Sequence, residues 1–205
     1  MSERLRSSSP RPARPAAPPG SPTLVIVAGL PGRGKSWLAR HLAAAHARRP
    51  GARPLVVVET DRIRLELTGG RPLHTPGENA AVHAEARRRL AAAIAAGAHA
   101  VIDATSLASA HRAQLRRLAD RSGARTLLAW CELEDAVAAR RFALRRGRLD
   151  AADVSTADEA VAERMAAAVE RPRRALHVRP SSARAAVRTL AADLAGLQEA
   201  EEALL

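Results

Sequence analysis

A chain of 205 residues with one cysteine, Cys131, and no apolar run of spanning length excludes a disulfide scaffold and a transmembrane protein. Its 33 basic and 21 acidic residues leave a net charge of +12, which points to polyanionic partners, either nucleic acid or nucleotide phosphates. Trp37, Trp130 and Phe142 are the whole aromatic complement, too few for a broad platform that stacks unpaired bases.

This length predicts one domain with a sizeable core. Residues 1–22 combine Ser7-Ser8-Ser9 with repeated Pro and Arg, a disordered basic tail ahead of a domain over 23–205. The tail is either a solvated extension or a contact for something acidic. It has arginines but no apolar stretch, so it does not read as a secretory signal. With a single cysteine, a reducing cytoplasmic compartment is expected.

The first strand is expected at 24–28, in Leu24-Val25-Ile26-Val27-Ala28. Gly29-Leu30-Pro31-Gly32-Arg33-Gly34-Lys35-Ser36 follows, which fits G-x-x-x-x-G-K-S. A helical pattern begins at Trp37 and ends near residue 48, before Pro50-Gly51. A strand, a glycine loop and a helix in that order are the setting in which this motif binds phosphate. The glycines let backbone wrap an anion without Cβ clashes. The loop N–H groups and the helix N-terminus then meet it with positive partial charge. In such a loop Lys35 reaches the β- and γ-phosphates and the Ser36 hydroxyl ligates Mg²⁺. Lys35 is also the only lysine, all other basic residues being arginine. A guanidinium is a wide fork and an ammonium a compact charge, so a tight phosphate cradle resists the exchange.

Leu55–Val58 reads as a second strand, delivering Glu59-Thr60-Asp61-Arg62-Ile63-Arg64 and a short helix to Thr68. A loop at 69–72 leads to a long helix from about Pro76 to Ala96, stopped by Gly97. Ala98–Ile102 is a third strand ending in Asp103-Ala104-Thr105. Ser106 to Ser122 is expected as a helix with Leu107, Leu115 and Leu118 inward. Thr126–Cys131 is the fourth strand, Glu134 to Arg146 a helix, 147–157 a polar loop and Asp158–Glu170 a helix. Ala175–Val178 is a weak fifth strand, and 182–204 a closing helix. Apolar strands alternating with helices predict an α/β fold, a parallel sheet covered on both faces. Ligands bind at the carboxyl ends of such strands, where the glycine loop, Asp61 and Asp103 all fall.

Asp61 is placed to orient or deprotonate an acceptor hydroxyl, with Arg64 three residues on to hold an anionic acceptor. The same pair also suits a helix N-cap with an i,i+3 partner. Asp103, ending a strand, can hold Mg²⁺ through water or cap the next helix. Arg140, Arg141, Arg145, Arg146 and Arg148 gather at the 147–157 loop, with Arg141 and Arg145 on one face. They form either a lid around 140–160 that neutralises a transferring phosphoryl group or a solvated basic helix end. His74, His83, His111 and His177 lack metal-ligand spacing and read as surface or packing residues. Cys131 reads as a small buried hydrophobe.

Together the loop, Thr60-Asp61-Arg62-Ile63-Arg64, Val101-Ile102-Asp103-Ala104-Thr105, Arg141 with Arg145 and Ser155-Thr156-Ala157-Asp158 resemble a known group. They are similar to the small P-loop kinases classed with AAA-family ATPases, relatives of the polynucleotide 5′-hydroxyl kinase and of zeta toxin. The resemblance implies a three-layer P-loop kinase fold on five parallel strands and ATP with Mg²⁺ as cofactors. It also implies transfer to a hydroxyl of a small molecule, nucleotide or nucleic-acid 5′ end. By that resemblance Asp61 is the general base, and Arg64 and Thr105 lie on the acceptor side. Arg141 and Arg145 act on the phosphate, and Gly29 to Trp37 hold the nucleotide. Trp37 stands where relatives have Thr, and His177 where they often carry an acid. A nucleotide-dependent switch without a dedicated acceptor is the competing expectation.

Overall fold

The computed structural model describes residues 18, 20–146 and 159–196. Five strands form one parallel sheet in the order β2-β3-β1-β4-β5. They are β1 (Thr23–Ala28), β2 (Leu55–Glu59), β3 (His99–Asp103), β4 (Arg125–Cys131) and β5 (Leu176–Val178). Between them run α1 (Lys35–Ala47), α2 (Thr60–Leu67), α3 (Pro76–Ala95), α4 (Ser109–Arg121), α5 (Asp135–Arg146) and α6 (Glu159–Ala166), and α7 (Ala183–Leu194) follows β5.

β1 is central and buried throughout, as a strand covered on both faces must be. Its side chains alternate between two cores. Leu24, Ile26 and Ala28 pack with Val82, Ala86 and Leu90 of α3 and Leu115 and Leu118 of α4. Val25 and Val27 pack with Leu38, Ala39 and Leu42 of α1 and with Val187, Leu190 and Leu194 of α7. Each fully buried leucine contributes about 1.5–3 kcal/mol. The register then sets the functional rim. Val27 lies opposite Asp103, and Asp103 opposite Glu59, so β1, β3 and β2 end level.

Three helix limits differ from the sequence expectation. The helix expected from Ser106 begins at Ser109, because Ser106 has φ +44° and cannot enter a right-handed turn. Leu107, Leu115 and Leu118 are nevertheless buried as expected. The helix expected to Glu170 ends at Ala166. The closing helix, expected to 204, ends at Leu194, where Gly196 at φ +69° provides a left-handed stop. The 147–157 loop, the first residue of the helix expected from Asp158, most of the basic tail and residues beyond 196 lie outside the described residues. No helix among the described residues is long and apolar enough to cross a membrane.

Candidate active site

The glycine loop leaves β1 under two constraints that exclude a side chain. At Gly29 (φ +139°) a Cβ would sit 2.5 Å from the Cys131 carbonyl oxygen. At Gly32 (φ +73°) it would sit 2.8 Å from the Phe142 ring of α5. The loop is therefore clamped between the end of β4 and α5. The Gly29 N–H donates to the Thr105 carbonyl at 3.0 Å, fixing the other flank.

Within this frame the Lys35 ammonium donates to the Leu30 carbonyl at 3.0 Å, across its own loop. Arg141 approaches from α5, its Nη1 donating to the Gly32 carbonyl at 3.4 Å. Arg33 pairs with Asp135 of α5. Its side chain is only 8 % exposed and its Nη1 has no hydrogen-bond partner.

Asp103 ends β3 in a buried position, beside the loop. Thr60 Oγ1 donates to its carbonyl at 3.1 Å. Burial pushes the Asp103 carboxyl above its ordinary range; Lys35 and Ser36 oppose this, while Asp61 and Glu59 reinforce it. A buried carboxylate and a hydroxyl are hard oxygen donors, and this pair lacks full positive compensation. That donor set fits a divalent cation such as Mg²⁺. Among the described residues no group of three His, Cys, Asp or Glu forms a metal cluster. The Cys131 thiol is pushed up to about 12 by burial and stays protonated, the packing role read for it.

Two clefts open at this rim. One, of about 650 Å³, brings together Lys35, Ser36, Trp37, Asp61, Arg64, Asp103, Thr105 and Arg141. These residues run from position 35 to position 141 of the sequence and were all read from it. Asn79, Arg40 and Arg164 also line this cleft and were missed, and so do His74 and His83, which the sequence offered only as surface or packing residues. The Thr75-Pro76-Gly77-Glu78 start of α3, a helix N-terminus signature, was the available signal for the α3 residues. Arg64 does not stand free as expected for an anion-holding residue, because its guanidinium is engaged by Glu78 and Asn79. Arg145 lies in the last turn of α5, and its side chain is outside the described residues.

The second cleft, of about 1040 Å³, lies on the β4–β5 side of the loop. Leu30, Arg33, Glu132, Arg171 and Arg179 line it. Glu132 accepts from Arg179 Nε at 3.5 Å and lies 3.1 Å from His177 Nδ1. Of the residues lining this cleft, the sequence had pointed to Leu30 and Arg33 of the glycine loop and to Cys131, but not to Glu132, Arg171 or Arg179.

A family model described as an AAA domain matches residues 24–172. A comparison with curated proteins found no match. Among solved structures the chain is similar to a gluconokinase from Sinorhizobium meliloti, at 23% identity over 91% of this chain and 95% of that one, with TM-score 0.56. It is similar to Mycobacterium tuberculosis APS kinase CysC in complex with AMPPNP and APS, at 20% identity over 89% and 99%, with TM-score 0.60. It also matches a chain of the Pnkp1/Rnl/Hen1 RNA repair complex, at 20% identity over 72% of this chain and 44% of that one, with TM-score 0.57. The shared fold is that of P-loop kinases, an α/β domain on a five-stranded parallel sheet.

Proposed function

This chain belongs to the AAA domain family, and from that premise we propose that it is an ATP-dependent phosphotransferase that moves the γ-phosphate of ATP to a hydroxyl group. One observation carries the reading: a single cleft is lined both by the glycine loop with Lys35 and Ser36 and by the carboxylate-bearing Asp61 of α2. A hydrolytic switch has no use for a pocket beyond the carboxylate; an acceptor does. The kinase names of the gluconokinase and APS kinase of similar fold support the same class.

The triphosphate lies along the loop from Gly29 to Ser36, on the N–H groups of Gly32 to Ser36, since Pro31 has none and that of Gly29 donates to Thr105, with Trp37 in the helix behind them. Lys35 exchanges its Leu30 carbonyl for the β- and γ-phosphates. Arg141, already at the Gly32 carbonyl, reaches the γ-phosphoryl oxygens, where charge spreads during in-line transfer. Arg145 shares its face and adds to this charge. Ser36 and Asp103 would hold Mg²⁺, which supplies neutralisation of the phosphate oxygens. Asp61 takes the proton of the acceptor hydroxyl as that oxygen attacks phosphorus and the bond to the β-bridging oxygen breaks, releasing ADP. Thr105 stays on the acceptor side, with its carbonyl tied to Gly29. The nucleoside leaves toward the second cleft, where Arg33 and Arg179 lie. A buried thiol and an ATP requirement fit the cytoplasm.

The test is transfer of labelled γ-phosphate from Mg²⁺-ATP to a panel of hydroxyl compounds that includes a 5′-hydroxyl oligonucleotide. A labelled acceptor is expected. Bound ATP that yields only orthophosphate across the panel would replace this reading with the nucleotide switch.

A further inference from the structure

The transfer cleft has two unlike sides. Lys35, Arg40, Arg141 and Arg164 reach it from the glycine loop, α1, α5 and α6, the side suited to polyphosphate. The α2–α3 side presents Asp61, Arg64, Asn79 and His83. On that side the positive charge is already spent. Arg64 Nη1 pairs with Glu78 Oε1, and Nη2 donates to Asn79 Oδ1 at 2.8 Å. The two ion-paired side chains are 12 % and 11 % exposed.

Glu78 is itself held in place. Its Oε2 accepts from the Leu73 N–H at 2.8 Å and the His74 N–H at 3.1 Å, and its own N–H donates to Thr75 Oγ1 at 3.2 Å. The Arg64 guanidinium, with those N–H groups, holds the Glu78 carboxyl below the usual carboxylate range. His83 adds no charge at neutral pH: burial lowers its pKa, and Arg87 and Arg64 lower it further. The wall beside the reacting hydroxyl thus offers an amide, an imidazole and the remaining guanidinium N–H groups as hydrogen-bonding partners. Against the one guanidinium stand two carboxylates, Asp61 and Glu78.

We propose that Glu78 sets the acceptor class: by neutralising Arg64 it selects an uncharged polyhydroxyl ring, a sugar or the ribose of a nucleoside, against acceptors with a carboxylate or phosphate near the reacting hydroxyl. This rests on the phosphotransferase reading above. An anionic neighbour on that side would be desolvated against two carboxylates and one guanidinium that is already paired with Glu78, whereas neutral hydroxyls can both donate and accept here. A helix-capping role alone would affect stability and leave acceptor choice unmoved.

The experiment uses the full chain loaded with Mg²⁺ and a non-hydrolysable ATP analogue. Acceptor binding is measured by calorimetry for two neutral and anionic pairs, glucose with gluconate and adenosine with adenosine 3′-phosphate. Phosphoryl transfer from ATP is followed in parallel. The wild type is expected to bind the neutral member of at least one pair about tenfold more tightly, and which pair does so names the source. Glu78→Gln keeps an oxygen for the Leu73 and His74 amides and should cut that ratio about tenfold, with ATP affinity as the control. Tighter wild-type binding of the anionic members overturns the proposal without any variant. So does a ratio that Glu78→Gln leaves unmoved, or failure of both pairs to bind while ATP binds. Neutral binding with the expected ratio but no transfer supports the selectivity and overturns the phosphotransferase reading.

Discussion

Thr60 Oγ1 donates to the Asp103 carbonyl at 3.1 Å, joining the start of α2 to the end of β3. The register that sets Asp103 opposite Glu59 makes this contact possible. The carboxylate is held in a position that costs the protein stability when no cation is bound. Burial raises the folded-state pKa of Asp103 above the ordinary value of 3.8. The folded state therefore binds the proton more tightly than the unfolded one. Stability falls as pH rises from 3.8 through the raised value and stays lower above it. Asp103→Asn keeps the shape and one side-chain oxygen and removes the charge. Ligand-free Asp103→Asn should melt above the wild type at neutral pH, the gap closing toward pH 3.8. The variant should also lose the extra melting-temperature rise that Mg²⁺ adds to ATP. A lower melting temperature at neutral pH would show that Asp103 is a structural cap.

Asp61 starts α2 beside Thr60, whose side chain is tied to the Asp103 carbonyl, so its backbone position is fixed by the sheet. Arg64, its i,i+3 neighbour, is turned instead to Glu78. That arrangement keeps the Asp61 carboxylate available to a proton donor. Asp61→Asn should lower the transfer rate by roughly 10²–10⁴-fold, the range for a lost general base. ATP affinity should change by less than about threefold, since the residue touches the acceptor and not the nucleotide. Equal losses in affinity and rate would relocate Asp61 to the nucleotide site.

Motif and spacing were enough to bring the loop and the carboxylates of Asp61 and Asp103 to one rim, because each lies at or just after a strand end; Arg141 reaches that rim from α5, and the side chain of Arg145 lies outside the described residues. The i,i+3 spacing of Asp61 and Arg64 placed both in one cleft. It could not reveal Glu78, which reaches Arg64 from another helix. Helix limits failed for local reasons. Ser106 takes a left-handed conformation that its sequence neighbours do not signal. The residues after Gly196 continue an amphipathic pattern that the glycine interrupts. The second cleft stayed hidden because Glu132, Arg171 and Arg179 are assembled from three separate segments.

Arg112 of α4 is buried at 2 % exposure and serves backbone carbonyls. Its Nη1 donates to the Ser106 carbonyl at 2.7 Å and to that of Leu107, and its Nη2 to the Glu170 carbonyl at 2.6 Å. The guanidinium lies 5.6 Å from the Trp130 ring, and Glu170 Oε2 accepts from the Ser109 N–H at 2.9 Å. One side chain thus fastens the segment after α6 to α4 and the sheet. Arg112→Ala orphans the Ser106 and Glu170 carbonyls, that of Leu107 keeping the Glu170 N–H at 3.3 Å, and should cost about 3 kcal/mol in urea unfolding. Arg112→Lys should rescue little of it, because a single ammonium cannot span the three acceptors. Since α6 brings Arg164 and Met165 to the polyphosphate side of the transfer cleft, weaker ATP binding should accompany the loss. A cost under about 1 kcal/mol would mean that water replaces the guanidinium.

Lys35 is the single lysine among 33 basic residues, and its ammonium sits 3.0 Å from the Leu30 carbonyl inside the loop it belongs to. The loop has little room to give: Gly29 abuts Cys131, Gly32 abuts Phe142, and Arg141 stands behind Gly34. A chain that uses arginine everywhere else keeps lysine here because a planar guanidinium cannot enter that ring of carbonyls and N–H groups. Lys35→Arg should fold with a melting temperature within about 2 °C of the wild type, since the position is only partly buried. It should lose at least about 10²-fold in transfer rate, as when a positioned charge-stabilising donor is removed. Lys35→Ala should be no worse. Transfer by Lys35→Arg within about tenfold of the wild type would mean that any cation at this position suffices, and the lone lysine would then carry no mechanistic weight.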